Sequence, residues 1–217
     1  MTTGSGAPQD LAAEDEAGAG APGTFVAVVG PSGVGKDTLL ASARCALAVD
    51  PAVVFVRRCI TRECDPAAED HDSLSAEAFA DAARAGAFAV TWGAHGLYYG
   101  LPAGLDEEIA RGRTVVANVS RHALPAIAAR FPRVLVLTVT ASLEARRERL
   151  ARRGRESAGE IAGRLERVVE IETGDLPVHV VDNSGALADA EASFLAAIES
   201  AVLSGRCPGA KRGQGND

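Results

Sequence analysis

Lysine is nearly absent from this 217-residue chain, in which only Lys36 and Lys211 occur and arginine fills the other basic positions. Lys211 falls in a polar, Gly-rich terminal stretch that we expect to be disordered. Lys36 follows a Gly-rich segment inside the region that we expect to fold. Its presence there, in a chain that otherwise uses arginine, indicates a site that needs a lysine.

An excess of positive charge is also missing, because the formal net charge is −7. Surfaces dedicated to nucleic acids or anionic membranes usually carry a basic field, so we expect neither partner. No uncharged apolar run reaches the roughly 18 residues of a membrane span. Residues 1–22 lack the basic start and apolar stretch of a secretory signal. We expect a soluble, cytoplasmic protein that binds any anion at a local site.

Paired cysteines are absent too. The four cysteines form no CxxC pair and have no histidine at zinc-ligand spacing; they are Cys45, Cys59, Cys64 and Cys207. This pattern indicates small thiols in a reducing cytoplasm and gives no sign of a zinc site.

The alternation of apolar runs and helical patterns predicts an α/β fold with a parallel sheet and helices on both faces. Residues 1–22 and 206–217 are predicted disordered tails around a folded domain at 23–205. The predicted strands are Thr24–Val29, Val53–Val56, Thr114–Asn118, Val134–Thr138 and His179–Val181. The predicted helices are 37–48, 103–111, 121–130, 142–153, 158–172 and 187–203.

Residues 58–100 interrupt this alternation. They contain a polar loop at 63–72, a short predicted helix at 75–85 and an aromatic cluster of Phe88, Trp92, Tyr98 and Tyr99. We interpret this segment as an insertion that closes over an acceptor substrate.

A phosphate-binding loop follows the first predicted strand. It has the pattern GxxxxGK and comprises Gly30, Pro31, Ser32, Gly33, Val34, Gly35 and Lys36. Glycines allow consecutive backbone N–H groups to face a phosphate, the following helix adds its positive end, and the lysine reaches the β- and γ-oxygens. The loop predicts a P-loop NTPase that binds ATP.

The position after Lys36 departs from the usual pattern, because Asp37 stands where Ser or Thr normally holds Mg²⁺. A carboxylate is a suitable Mg²⁺ ligand, directly or through water, so Asp37 is the predicted metal residue. The alternative is an acid stabilised by the helix dipole. Thr38 is a candidate for contact with the α-phosphate.

A dense arginine segment follows the fourth predicted strand; its members are Arg146, Arg147, Arg149, Arg152, Arg153, Arg155 and, further on, Arg164. Phosphoryl transfer needs cations at the transferring group, so residues 149–164 are a predicted lid. We select Arg149, Arg155 and Arg164 as catalytic and expect the others to lie on a solvated surface. The alternative is that the whole segment is a charged helix face.

In the insertion, Arg62, Tyr98 and Tyr99 suit an acceptor phosphate, because they supply a forked cation and phenolic donors. The alternative for the tyrosines is packing within the small unit. His71 and His95 are expected to be polar loop residues, since transfer to an ionised phosphate needs no general base.

These motifs resemble, in order and spacing, the guanylate-kinase-like group. The segments that carry the resemblance are GPSGVGKD, ITR, GLYYG and RGRES, and it covers about residues 24–200. GKD in place of GK[ST], together with HGLYYG and GRES, resembles the ribose 1,5-bisphosphate phosphokinases of bacterial phosphonate breakdown. The resemblance implies ATP, Mg²⁺ and a phosphorylated sugar as acceptor.

Departures from guanylate kinase support this choice. The second phosphate-binding arginine of TTRxxR is missing, and the resemblance places Val90, Ser120 and Leu101 where guanylate kinase contacts guanine. Unpaired donors on a buried base would cost about 1–3 kcal/mol each, so we do not expect GMP to be the acceptor. Asn118, Ser120 and Arg121 are candidates for the sugar hydroxyls and second phosphate. By resemblance, Asn183 lies near adenine; its alternative is a turn residue.

The resemblance thus implies phosphorylation of the 1-phosphate of ribose 1,5-bisphosphate to give 5-phospho-α-D-ribose 1-diphosphate. Three alternatives stay open: a nucleoside-monophosphate kinase, a catalytically silent guanylate-kinase-like binding module and a regulatory NTPase. The oligomeric state is also open, with a homodimer as one option.

Overall fold

The computed structural model describes residues 21–62, 71–153 and 173–206 of the chain. In chain order the elements are β1 (Phe25–Val29), α1 (Lys36–Ala46), β2 (Val53–Phe55), β3 (Cys59–Ile60), β4 (Asp72–Ser73), α2 (Ala76–Arg84), β5 (Phe88–Ala94), β6 (Leu97–Pro102), α3 (Leu105–Ala110), β7 (Thr114–Asn118), a 3₁₀ turn (Arg121–Ala123), α4 (Leu124–Arg130), β8 (Val134–Thr140), α5 (Leu143–Arg153), β9 (Val178–Asp182) and α6 (Leu187–Arg206).

The central sheet has five parallel strands in the order β2-β7-β1-β8-β9. Every residue of β1 is buried, as expected for a parallel strand that is covered on both faces. The parallel α/β architecture is therefore confirmed. Because all five strands run the same way, their carboxyl ends meet at one edge, where open α/β sheets bind their ligands.

Two apolar clusters cover the two faces of this sheet. On one face, Phe25 and Val115 pack with Leu124 of α4 and Ile109 of α3. On the other face, the strands pack against α1 and α6, in a cluster that includes Leu39, Phe194 and Ile198. Helices therefore lie on both faces, and α1 is held firmly at the edge that carries the phosphate-binding loop.

A second sheet, in the order β4-β3-β6-β5, occupies the segment predicted as an insertion. The sequence analysis predicted only a loop, a helix and an aromatic cluster there, so these strands were missed. β3 and β4 have two residues each, too few to show a period. The β5–β6 hairpin left a detectable signal, because its two-residue turn is His95-Gly96, with φ of 54° and 74°.

The predicted bounds were otherwise close. β7 matches its prediction, whereas the helix predicted at 121–130 starts as a 3₁₀ turn before α4, and α6 continues to Arg206. The helix predicted at 158–172 and most of both predicted tails lie outside the described residues. Within the described part of the chain, no helix is long and apolar enough to cross a membrane.

Candidate active site

The loop between β1 and α1 has the backbone shape that a phosphate cradle requires. Gly30, Gly33 and Gly35 have φ values of 149°, 83° and 94°, in a region that other residues rarely adopt. A Cβ on Gly30 would lie 2.4 Å from the carbonyl oxygen of Val139, and one on Gly35 would lie 2.5 Å from Nδ2 of Asn183. Both the conformation and the close approach of neighbouring chain therefore require glycine.

Lys36 is the first residue of α1, and its side chain folds back over the loop. Nζ donates hydrogen bonds to the carbonyl oxygens of Gly30, at 2.7 Å, and Pro31, at 3.1 Å. The ammonium group is thus held at the loop, where it can contact the β- and γ-oxygens of a bound nucleotide.

Asn183 and Arg149, which come from different parts of the chain, hold the loop in place through hydrogen bonds. The carbonyl oxygen of Val34 accepts hydrogen bonds from Nδ2 of Asn183, at 2.8 Å, and from Nη1 of Arg149, at 3.2 Å. Nη2 of Arg149 also donates to the backbone carbonyl of Asn183, at 2.8 Å. Asn183 is only 1% exposed. These bonds give Asn183 and Arg149 a role in holding the loop; the adenine contact of Asn183 stays a prediction.

Arg146 was expected on the solvated surface, and this expectation was wrong. It is 4% exposed, and its Nε donates to the carbonyl oxygen of Ser32 at 3.2 Å. Burial lowers the pKa of its guanidinium. Helical spacing in the sequence could have indicated this burial. Arg146 shares a face of α5 with Arg149 and the buried Leu150, and that face lies against the loop.

Asp37 and Asn118 meet beside the loop. Nδ2 of Asn118, at the carboxyl end of β7, lies 3.4 Å from Oδ1 of Asp37 in the first turn of α1. Within the described ranges, no group of three or more His, Cys, Asp or Glu side chains is placed to hold a metal ion. A Mg²⁺ ion that is shared with phosphates and keeps its waters needs only one or two protein oxygens, so this pair fits such an ion.

A cavity of about 450 Å³ opens next to this pair, between α1 and the edge formed by β2 and β7. Asp37 and Asn118 line one end, whereas Arg44 and Phe55 lie further along, with the Arg44 guanidinium over the Phe55 ring at 5.7 Å from its centroid. The cavity is therefore adjacent to Asp37, the predicted metal residue, on the α1 side of the sheet.

The small sheet brings a further arginine, Arg58, to the carboxyl end of β7. Its Nη1 donates to the backbone carbonyl of Asn118 at 3.1 Å, and its guanidinium lies over the Tyr99 ring, 5.4 Å from the centroid. Tyr99 in turn stacks on Trp92 at 5.3 Å. The sequence analysis did not select Arg58, although only Cys59 separates it from the Ile-Thr-Arg motif.

Arg62 and Tyr98 lie at the exposed end of the small sheet. The N–H of Thr61, next to Arg62, donates to the carbonyl oxygen of Tyr98 at 3.0 Å, and the N–H of Tyr98 donates to the Thr61 hydroxyl at 2.9 Å. Tyr98 is 57% exposed and also contacts Phe79. The structure therefore brings these predicted acceptor residues together, at a different part of the small sheet from Arg58.

Ser120 and Arg121 follow β7, at the 3₁₀ turn that contacts β5. The Ser120 hydroxyl accepts a hydrogen bond from the His122 N–H at 3.3 Å, so part of its capacity is used locally. On the facing strands, Val90 and Leu101 form a buried cross-strand pair in the core. Neither offers an acceptor to a base.

The remaining predicted residues are less informative. Thr38 is exposed in the first turn of α1. Arg155 and Arg164, both predicted in the lid, lie outside the described residues, as does most of that predicted segment.

Comparison with known proteins adds to this geometry. A ribose 1,5-bisphosphate phosphokinase of Brucella melitensis is 51% identical over 173 residues, which cover 80% of this chain and 90% of that protein. The enzyme of the same name from Agrobacterium fabrum is 43% identical over 178 residues, covering 82% and 97%. A bifunctional ribose 1,5-bisphosphokinase-thymidine phosphorylase of Cupriavidus necator is 45% identical over 180 residues, which are 83% of this chain and 30% of that protein.

The fold also has a counterpart among solved structures. A guanylate kinase from Anaplasma phagocytophilum superposes with a TM-score of 0.60 at 16% identity, covering 87% of this chain and 89% of that one. At this identity the likeness shows the fold alone. No protein-family model matches the chain.

Proposed function

The chain belongs to the ribose 1,5-bisphosphate phosphokinase family, and we propose that it transfers the γ-phosphoryl group of ATP to the 1-phosphate of ribose 1,5-bisphosphate. The products are ADP and 5-phospho-α-D-ribose 1-diphosphate, formed in the course of phosphonate catabolism. One observation carries the proposal: the phosphate-binding loop opens at the same sheet edge as the small sheet, where Arg58 supplies a cation and Val90 and Leu101 offer no acceptor to a base. Because the reaction consumes ATP, we propose that the protein acts in the cytoplasm.

The nucleotide phosphates lie in the loop. The left-handed glycines direct backbone N–H groups inward, and Lys36 exchanges its bonds to the Gly30 and Pro31 carbonyls for the β- and γ-oxygens. Arg149 keeps the loop in shape through the Val34 carbonyl, close to the transferring group. Arg155 and Arg164 are the proposed lid cations.

Asp37 and Asn118 are the proposed protein contribution to Mg²⁺ placement. A carboxylate follows the lysine here, and the strand opposite ends in an amide, so the pair supplies one negative charge. Bound Mg²⁺ supplies charge neutralisation at the β- and γ-phosphates. The amide of Asn118 donates to Oδ1 of Asp37, and this contact orients the carboxylate.

The acceptor binds at the small sheet, where Arg62, Tyr98 and Tyr99 provide donors for phosphate. Ser120 and Arg121, which follow β7 of the central sheet, provide groups for the sugar. Transfer is direct and in line, with no covalent enzyme intermediate. Positioning and charge stabilisation supply the acceleration, because attack by an already ionised phosphate oxygen needs no proton removal.

A nucleoside-monophosphate kinase is the second candidate, since the solved structure with the same fold is a guanylate kinase. The burial of Val90 and Leu101 weighs against it: a guanine edge placed there would leave its donors unpaired, at about 1–3 kcal/mol each.

The test is to incubate the protein with ATP and Mg²⁺, and to offer ribose 1,5-bisphosphate in one reaction and GMP in another. Mass spectrometry follows ADP and the phosphorylated product, and a reaction without acceptor measures hydrolysis. We expect the sugar diphosphate, with GMP unchanged. Transfer to GMP would contradict our interpretation of Val90 and Leu101. Transfer to neither acceptor would favour a binding module, and ADP formed without acceptor would favour a regulatory NTPase.

A further inference from the structure

The chain leaves the central sheet just after β2 and enters the small sheet at Arg58. β2 pairs in parallel with β7, and the N–H of Val56 donates to the carbonyl oxygen of Val116 at 2.9 Å. Bonds of a parallel ladder are evenly spaced, so a continued β2 would next offer the N–H of residue 58 to the carbonyl of Asn118. The backbone of Arg58 pairs with the small sheet instead, where its carbonyl accepts from the N–H of Asp72 at 3.0 Å.

The side chain of Arg58 returns to the position that its backbone has left. Nη1 donates to the carbonyl oxygen of Asn118 at 3.1 Å. Asn118 is buried at the carboxyl end of β7, and a buried carbonyl needs a donor. The guanidinium of Arg58 therefore takes the place of a backbone donor at the end of the β2–β7 ladder.

The small sheet holds this guanidinium in place. Arg58 is half-buried, and its guanidinium lies over the Tyr99 ring, 5.4 Å from the centroid. Tyr99 stacks in turn on Trp92, with the ring centroids 5.3 Å apart. Since Tyr99 belongs to β6 and Trp92 to β5, the small sheet sets the position of a donor on which the central sheet depends.

Asn118 connects Arg58 to the predicted metal residue. Its backbone carbonyl accepts from Arg58, and its side-chain amide donates to Oδ1 of Asp37 at 3.4 Å. A carboxylate that binds a metal ion is oriented by the groups that hydrogen-bond to it. Asn118 is such a group for Asp37, and Arg58 holds Asn118 at the end of its strand.

We propose that Arg58 is a positioning residue for the metal site. By holding Asn118, it keeps the Asp37 carboxylate in the orientation that binds Mg²⁺, and it links that orientation to the small sheet at which the acceptor binds. This inference rests on the proposed function, in which Asp37 contributes to Mg²⁺ placement. In this role Arg58 itself binds neither the ion nor a substrate.

Metal binding by the complex with ADP tests this role without turnover. Mn²⁺ is the probe, because it takes the same oxygen ligands as Mg²⁺ and its free form is measured by electron paramagnetic resonance. The protein is kept in excess over ADP, so that the measured metal binds to the complex. Arg58→Met removes the donor but keeps an unbranched side chain against Tyr99.

We expect Arg58→Met to weaken Mn²⁺ binding about 3- to 10-fold. Groups that hydrogen-bond directly to a metal ligand typically contribute about 10- to 100-fold to metal affinity, and Arg58 acts through one further residue. Affinity for ADP without metal should be unchanged, since Lys36 and the loop glycines are intact. Arg58→Lys should recover most of the Mn²⁺ affinity, because an ammonium group can also donate to the Asn118 carbonyl.

A double-mutant cycle with Asp37→Ala shows whether Arg58 acts through the carboxylate. Asp37→Ala alone should weaken Mn²⁺ binding, and Arg58→Met should then add no further loss, because the group that it orients is gone. Losses that add would overturn the proposal. If Asp37→Ala leaves Mn²⁺ binding unchanged, the metal role of Asp37 fails and the role of Arg58 fails with it.

Arg57→Met is the matched control. Arg57 is the preceding residue, is exposed and forms an ion pair with Asp72 at 2.9 Å, so its loss should not change Mn²⁺ affinity. Trp92 is the only tryptophan in the chain, so its fluorescence shows whether the small sheet stays packed, and thermal unfolding shows whether each variant is folded. If Arg58→Met does not fold, Arg58→Gln, whose side-chain nitrogen lies two bonds closer to the backbone, serves the same comparison. A folded variant with wild-type Mn²⁺ affinity overturns the proposal and leaves Arg58 a structural link between the sheets.

Turnover of ribose 1,5-bisphosphate by the wild-type protein keeps this outcome apart from a failure of the proposed function. If the wild-type protein phosphorylates the bisphosphate but Arg58→Met binds Mn²⁺ normally, only the assignment of Arg58 fails. If the wild-type protein does not phosphorylate it, while Arg58→Met weakens Mn²⁺ binding through Asp37, the positioning role is supported and the proposed acceptor is wrong.

Discussion

Gly35→Ala tests how closely the loop is fitted to the residues beneath it. Gly35 has φ of 94°, and forcing an L-residue into the left-handed region costs about 1–2 kcal/mol. The new Cβ would lie 2.5 Å from Nδ2 of Asn183, which is 1% exposed and has little room to move. Displacing that amide breaks its bond to the Val34 carbonyl, at about 0.5–1.5 kcal/mol more.

The two contributions together predict a loss of about 1.5–3.5 kcal/mol in the free energy of unfolding. For a chain of this size each kcal/mol lowers Tm by roughly 2–4 °C, so Tm should fall by roughly 3–14 °C. Asn183→Ala removes the atom with which the new methyl collides. In that background Gly35→Ala should cost only the backbone strain, so the two changes should be non-additive by about 1 kcal/mol.

Urea unfolding, followed by far-UV circular dichroism, measures these differences. Gly86→Ala is the matched control, because Gly86 also has a positive φ, 74°, but no atom lies within 4 Å of a Cβ built there. It should cost about 1–2 kcal/mol with or without Asn183. The reasoning is refuted if Gly35→Ala costs no more than Gly86→Ala, or if Asn183→Ala leaves its cost unchanged.

Three other predictions follow from the site. Asp37→Ala should raise the Mg²⁺ concentration needed for half-maximal rate in a kinetic titration. An unchanged titration would mean that Asp37 only stabilises the start of α1. Arg149→Ala should raise KM for ATP and lower turnover, because the Val34 and Asn183 carbonyls lose a donor in the loop; steady-state kinetics that match the wild-type protein would refute this. Burial and the charge of Asp72 raise the pKa of the Cys59 thiol, so less thiolate forms at neutral pH and Cys59 should react with iodoacetamide more slowly than the exposed Cys45. Peptide mass mapping over time, from pH 7 to 9, measures both rates, and equal rates would contradict the prediction.

The parts of the molecule that the sequence predicted correctly depend on local patterns. The loop is specified by glycine spacing, and the buried parallel strands are continuous apolar runs such as Phe25–Val29. The small sheet escaped prediction because β3 and β4 are held by pairing with distant strands, and two-residue strands carry no periodicity. A local pattern shows neither the partner of a short strand nor its register.

The same distinction applies to the arginines. The density of the arginine segment predicted a cation-rich site, and Arg149 does contact the loop. Arg146 was assigned to the surface because charge usually indicates exposure, yet its helix face is fixed by the neighbouring Leu150 and by the loop that α5 covers. Arg58 carried no motif of its own. Its importance follows from two contacts that only the packing of the two sheets creates.

The inner face of the small sheet explains how one fold serves a different acceptor. Residues two apart on a strand share a face, so Val90 and Trp92 lie on the same side of β5, opposite Leu101 and Tyr99 of β6. Val90, Trp92 and Leu101 are packed in the core, so this face offers a base neither open volume nor the acceptors that its N–H groups require. Arg58 borders the aromatic end of that face, next to Asn118 and the loop. The packing of this face thus leaves no base-recognition site among these residues, which agrees with an acceptor that has no base.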